Sequence, residues 1–214
     1  MQNQVLLFAT GTPAGGATGA RSVVEALHLQ PGKGIAVCGI VSNIAGGGAE
    51  KLAEEYDIPF FHHTGGYTAA DYHATFERFA AFDPERDLVV LCGWNKIIRG
   101  HVPYRTINPH PGPRPATNGL YDRAIYEWLI TARYLQSSLN IHYATAEIDK
   151  GPTLFSKRIT IDADDTPELL RTRTQQIEHR WLPHVIEMIF SGEMGWDGRD
   201  PDDYPESVWG SITT

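Results

Sequence analysis

The sequence predicts an α/β fold: a Rossmann-like, mostly parallel sheet flanked by helices, with an antiparallel strand pair towards the C-terminal half. Three observations predict it. Short, unbroken apolar runs such as Val5–Ala9 and Leu88–Cys92 alternate with helical patterns, as strands buried on both faces do. The first run passes through a glycine-rich turn into a helix. Two long segments late in the chain, Ser138–Thr145 and Thr153–Ile161, alternate and are joined by a short loop.

The bulk properties agree. A chain of 214 residues with 42% hydrophobic and 21% charged residues is long enough for one sizeable core, and two full domains would be a squeeze. We expect a single catalytic domain over residues 1–194 and an acidic, turn-rich tail over 195–214 that packs loosely. The net charge of −8 argues against a nucleic-acid or anionic-membrane surface, so small-molecule partners are expected. Met1-Gln-Asn-Gln has no basic n-region, and Val5–Ala9 is too short for a signal core or a membrane span. Cys38 and Cys92 each fall inside a predicted buried strand, which points to a reducing, cytoplasmic setting rather than a disulfide framework. A monomer or a homodimer is expected.

Val5–Ala9 is the first strand. The turn Thr10–Gly19 follows, and a helix then begins with Val23, Val24 and Leu27 on one face. A strand, a glycine loop and a helix start aim backbone N–H groups at an anion, although neither a Walker A loop nor a dinucleotide fingerprint is present. Arg21, at the helix start, is placed to reach a phosphate. Gly34–Val41 is the second strand and Ala49–Tyr56 the next helix. Ile58–Phe61 is a short third strand, followed by His62 and His63. No further ligand stands at a metal spacing, so these are expected to be surface or loop histidines and no metal is expected. Thr68–Ala80 is an amphipathic helix. Leu88–Cys92 ends at Gly93-Trp94, where the tryptophan is either core or the wall of a flat ligand's pocket.

Arg105–Ile107 is a shorter neighbouring strand, and it runs into Asn108-Pro-His-Pro111. Extended side chains alternate faces, so Asn108 and His110 point the same way, and each precedes a proline that restricts it to extended backbone. The pair is held stiffly where open α/β sheets place their sites. Tyr121–Tyr134 is a helix. The loop 146–152 joins the two late strands. Thr166 caps a final helix with Pro167 in its first turn, running to about Phe190.

The ordered set Asn108-Pro-His-Pro111, His142 with Asp149-Lys-Gly-Pro152, and Gln175-Gln-Ile-Glu-His179 resembles the folate-dependent formyltransferases, most of all the branch acting on glycinamide ribonucleotide. The resemblance covers Val5 to about Gly192. It implies a formyltransferase fold and 10-formyltetrahydrofolate as co-substrate. It implies Asn108, His110 and Asp149 as the catalytic trio, with His142 in support. Trp94, Asn95, Lys96, Ile97 and Ile98, with Ala144, Thr145, Ala146, Glu147 and Ile148, match segments that cradle the pteridine. Gln175 and Glu178 match residues facing ribose and amine, and Gly19, Ala20 and Arg21 match the phosphate end. Three departures, the long glycine loop, Pro109 and Gly112-Pro-Arg-Pro115, lie where the acceptor amine binds.

Formyl transfer to an amine passes through an anionic tetrahedral centre. Asn108 offers a donor that cannot ionise. Asp149 beside His110 is expected to raise the imidazole pKa, so that it donates near neutral pH, and the carboxylate could relay the amine proton. Each residue alone also has a plainer reading: a turn-capping asparagine, a satisfied core histidine and an Asp-Lys-Gly turn. Three other functions compete: transfer to another amine such as an amino sugar nucleotide, hydrolysis by a formyltetrahydrofolate deformylase, and non-catalytic ligand binding. Deformylases typically add an N-terminal regulatory domain, whereas the sheet here starts at Val5, so hydrolysis ranks below transfer.

Overall fold

The computed structural model describes residues 2–100 and 104–195. The tail expected over 195–214 lies, apart from Gly195, outside them. Among the described residues seven strands form one sheet: β1 (Asn3–Phe8), β2 (Ile35–Ser42), β3 (Phe60–His62), β4 (Leu88–Leu91), β5 (Thr106–Pro111), β6 (Gln136–Tyr143) and β7 (Thr153–Thr160), in the order β3-β2-β1-β4-β5-β6-β7. The pairings from β3 through to β5 are parallel, and β6 is antiparallel to both β5 and β7. The expected architecture is therefore present.

Alternation along β1 explains why its sequence is apolar throughout. Val5 and Leu7 enter one core and Leu6 and Phe8 another on the opposite face, with Leu88 and Val90 of β4 against Val89 and Leu91 repeating the division. The first core takes residues of α1 (Thr18–Val23), α2 (Gly48–Glu55), α4 (Arg123–Thr131) and α5 (Pro167–Ser191). The second takes Tyr72 and Phe76 of α3 (Ala69–Phe76), and Trp94 with them. A capping box starts α3: Thr68 accepts from the Asp71 backbone N–H, and the Asp71 carboxylate accepts from that of Thr68. At α5, Thr166 accepts from Leu169 N–H and Pro167 opens the helix, as its sequence predicts.

Strand β5 carries prolines at 109 and 111 yet pairs with β6 along its length. The reason is parity. Ala144 N–H donates to Thr106 O and Gly112 N–H to Ser138 O, so even-numbered residues exchange bonds with β6. The two prolines are odd-numbered and their absent N–H groups would face β4, which pairs with β5 only as far as Ile107. The strand therefore runs past Ile107, where the sequence reading ended it.

Candidate active site

Parity also places the chemistry. Ile107 enters the core beneath α5, so Asn108 and His110 face the opposite side of the sheet. Directly opposite them on β6 stand His142 and Asn140. On this face two loops fold over β5 and β6. One is the segment 113–119, and the other is the β6–β7 loop that carries Asp149.

Asp149 turns its carboxylate inward. One oxygen lies 3.4 Å from Asn108 Nδ2 and 3.5 Å from His142 Nε2. The other lies 3.4 Å from His110 Nδ1 and accepts from Gly119 N–H at 3.0 Å. Asn108 and His110, neighbours on β5, therefore share one small volume with Asp149, which is remote in sequence, and His142 stands beside them.

Hydrogen bonding orients each ring. His142 Nδ1 is 2.8 Å from Tyr143 O, which can only accept, so this nitrogen carries the proton. In the neutral ring Nε2 is then an acceptor and takes an N–H from Asn108 Nδ2 at 3.1 Å, which fixes the amide orientation. Thr117 hydroxyl donates to Pro113 O at 3.0 Å, so its oxygen accepts from His110 Nε2 at 3.1 Å. His110 therefore presents Nδ1 to Asp149.

One electrostatic expectation is corrected. Asp149 does favour the His110 imidazolium, but the ring is only 4% exposed. Burial outweighs that attraction, His142 and Arg114 add like-charge repulsion, and the pKa falls to about 4. His110 is neutral near pH 7. For Asp149, burial opposes ionisation, but contacts with His142, His110 and Gly119 N–H hold its carboxyl below the ordinary range. The resting site is an ionised carboxylate beside a neutral imidazole, which suits taking a proton more than donating one.

A cavity of about 480 Å³ is lined by Ile97, Ile98, Arg99, Gly100, Tyr104, Ala144, Thr145 and Ala146. It draws on both segments expected to cradle a pteridine. Other members of those segments are placed elsewhere. Trp94 is core, its indole N–H donating to Tyr72 OH at 3.1 Å. Asn95 accepts from Asn43 and its backbone N–H donates to Thr10, linking the carboxyl ends of β1, β2 and β4. Lys96 lies over the Tyr67 ring. Glu147 pairs with Lys150, and Ile148 is exposed.

At the glycine loop, Gly19 and Ala20 are buried, and a Cβ on Gly19 would meet the Glu178 carboxylate at 2.5 Å. Arg21 departs from expectation: its guanidinium grips Glu55 at 2.6 Å and also bonds Glu25 and Tyr56. Its partners here are carboxylates and a phenol. Gln175 and Glu178 share a face of α5, one turn apart. Burial pushes the Glu178 carboxyl up to about 7. His63 is also corrected: it is buried, bonded to Thr75 hydroxyl at 3.1 Å and Gly66 O at 2.8 Å, and stacked on Tyr67 and Tyr72. It belongs to the second core.

The sequence reading missed two residues, Thr117 and Arg114. Arg114 donates to backbone carbonyls of the Asp149 loop. Thr117 had no signal in the sequence. Arg114 had one, a lone cation between prolines in a stretch that departs from the formyltransferase pattern.

Comparison with known proteins places the chain. The family described as formyl transferase matches residues 5–186. A phosphoribosylglycinamide formyltransferase of Bacillus subtilis is 29% identical over 152 residues, covering 65% of this chain and 72% of that protein. The chloroplastic phosphoribosylglycinamide formyltransferase of Arabidopsis thaliana is 30% identical over 133 residues, 55% of this chain and 46% of its own length. The solved phosphoribosylglycinamide formyltransferase of Coxiella burnetii superposes with a TM-score of 0.77 at 25% identity, covering 92% of both chains. A formyltetrahydrofolate deformylase of Pseudomonas syringae has the same fold, with a TM-score of 0.74 at 17% identity over 90% of this chain and 62% of its own. With the family match spanning most of its length, the chain belongs to the formyl transferase family and is a folate-dependent formyltransferase.

Proposed function

We propose that this protein transfers the formyl group of 10-formyltetrahydrofolate to the primary amine of a phosphoribosyl substrate, glycinamide ribonucleotide, in purine biosynthesis. The observation that carries the reading is the convergence of Asn108, His110 and Asp149 on one face of β5 and β6. The acceptor is inferred from the relatives, which are phosphoribosylglycinamide formyltransferases. The cavity between residues 97–100 and 144–146, lined by Ile97, Ile98, Tyr104 and Ala144 together with Arg99 and Thr145, offers the mostly apolar lining with a few polar groups that a pteridine needs.

Chemically, the attacking amine must shed a proton and the formyl oxygen must carry negative charge. The ionised Asp149 carboxylate, with His110 Nδ1 beside it, takes the amine proton and can return it to the departing folate nitrogen. Asn108 Nδ2 supplies a non-ionising donor to the oxyanion. Its contact with Asp149, at 3.4 Å, is the weaker of its two and the one that redirects. His142 holds the amide in that orientation. Gly19, Ala20 and Arg21 mark the phosphate end, and Gln175 and Glu178 face the ribose and amine.

An assay of formyl consumption tests the reading. Turnover is expected with glycinamide ribonucleotide and not without it. Formate release without any acceptor would favour hydrolysis, and turnover with an amino sugar nucleotide alone would move the acceptor to that class. Folate binding without reaction under any of these conditions would leave a binding module.

Glu178 supplies a pH prediction. With its pKa near 7, the carboxyl is increasingly neutral below that pH and accepts less well from ribose hydroxyls. The acceptor KM is therefore expected to rise as pH falls from 8 to 6, approaching about tenfold per unit well below the pKa. In Glu178→Gln the KM should be high throughout and lack that component. A wild type and variant with parallel profiles would remove Glu178 from the acceptor site.

A further inference from the structure

We infer that Arg114 is a positioning residue that holds Asp149 in its reactive place by gripping the backbone of the loop while leaving the carboxylate free. Its Nε donates to Asp149 O at 2.8 Å, and one Nη donates to the same carbonyl and to Gly151 O, the latter at 2.9 Å. The other Nη donates to Thr153 hydroxyl at 2.7 Å, at the start of β7. One planar group thus spans the loop from Asp149 to the strand that receives it, as only a forked donor can.

The loop needs such a grip. Glu147, Ile148 and Lys150 are exposed, so little apolar packing anchors its tip. Asp149 also sits at φ 53°, a left-handed conformation that is unfavourable for a non-glycine residue and persists where its surroundings hold it. Gly151 ties the base of the loop, where an added Cβ would collide with Tyr143 O. Arg114 ties the tip.

How Arg114 binds matters as much as its strength. An arginine paired with the carboxylate itself would occupy the oxygens that face the two histidines. Here the cation takes the main-chain carbonyl, and both oxygens remain turned to Asn108, His110, His142 and Gly119 N–H. The same segment, 113–119, also supplies Thr117 to His110. One short turn therefore sets both members of the proton-handling pair.

The kinetic arm of the test rests on the formyl-transfer reading, and the spectroscopic arm does not. Arg114→Ala is expected to lower kcat by roughly 10²-fold, the scale for ångström-level misplacement of a reacting group, with KM values little changed. In an Asp149→Asn background the same substitution should cost little more, because it acts through the carboxylate already removed. Added guanidinium should restore part of the Arg114→Ala rate. By NMR, the Gly119 amide should lose its dependence on Asp149 ionisation in Arg114→Ala, whether or not an acceptor has been found. Full activity in Arg114→Ala, multiplicative losses in the double variant, or an unchanged Gly119 amide titration would each overturn the proposal. Should Arg114→Ala not fold, Arg114→Lys goes through the same cycle. It keeps charge and stem but loses the fork, and unchanged kcat and Gly119 titration in it would be equally decisive.

Discussion

Asp149→Asn is expected to lower kcat by roughly 10²–10⁴-fold, the range for loss of a positioned general base, with the fold retained. The substitution preserves shape. The Asn oxygen can still accept from Gly119 N–H, and the Arg114 contacts go to the main chain and are unaffected. What disappears is the ionised carboxylate to which the proposed mechanism assigns the amine proton. His110 cannot take over as a cation. Burial already holds its pKa near 4, and removing the neighbouring carboxylate takes away an influence that raises it. The prediction is therefore double: turnover collapses, and the His110 ring in the variant titrates still lower when followed by NMR. Near wild-type turnover would show that the proton leaves by another route, directly to solvent or to the folate.

Asn108→Ala is expected to lower kcat by roughly 10²–10³-fold, the scale for one lost oxyanion donor. It should also lower stability. Without the amide, His142 Nε2 and one oxygen of Asp149 each lose a donor in a largely buried site, at about 1–3 kcal/mol for an acceptor left unsatisfied. A thermal melt separates the two effects, and turnover measured well below the variant's Tm reports the chemical one. Unaltered kcat with a lowered Tm would make Asn108 a structural residue that only orients His142.

Much of this site was legible in the sequence because alternation and proline constraints act locally. That Asn108 and His110 share a face follows from strand geometry, and the structure adds that β5 continues through both prolines because their parity spares the β6 ladder. The caps at Thr68 and Thr166 follow local rules in the same way. Trp94 stood between core and pocket wall, and the Tyr72 hydroxyl resolves it as core. Arg21 stands in its helix where the sequence predicts, but the partner it meets is Glu55, which is remote in sequence and reaches it only once α1 and α2 are packed. The sequence predicts a surface or loop position for His63, whose stacking partners Tyr67 and Tyr72 meet it only through the α3 packing.

The sequence by itself determined the order of strands and helices and the shared face of Asn108 and His110, and its resemblance to the formyltransferases added Asp149 to that pair. The first two depend on spacing along the chain, and spacing survives unfolding. Only the tertiary structure decided what each polar group meets. It turned Arg21 to a carboxylate, gave Arg114 the loop that carries Asp149, and buried His110 deeply enough to keep it neutral beside an anion. Desolvation and hydrogen-bond partnership depend on which distant segments fold over a residue, and no property of the residue or its neighbours in sequence encodes that directly.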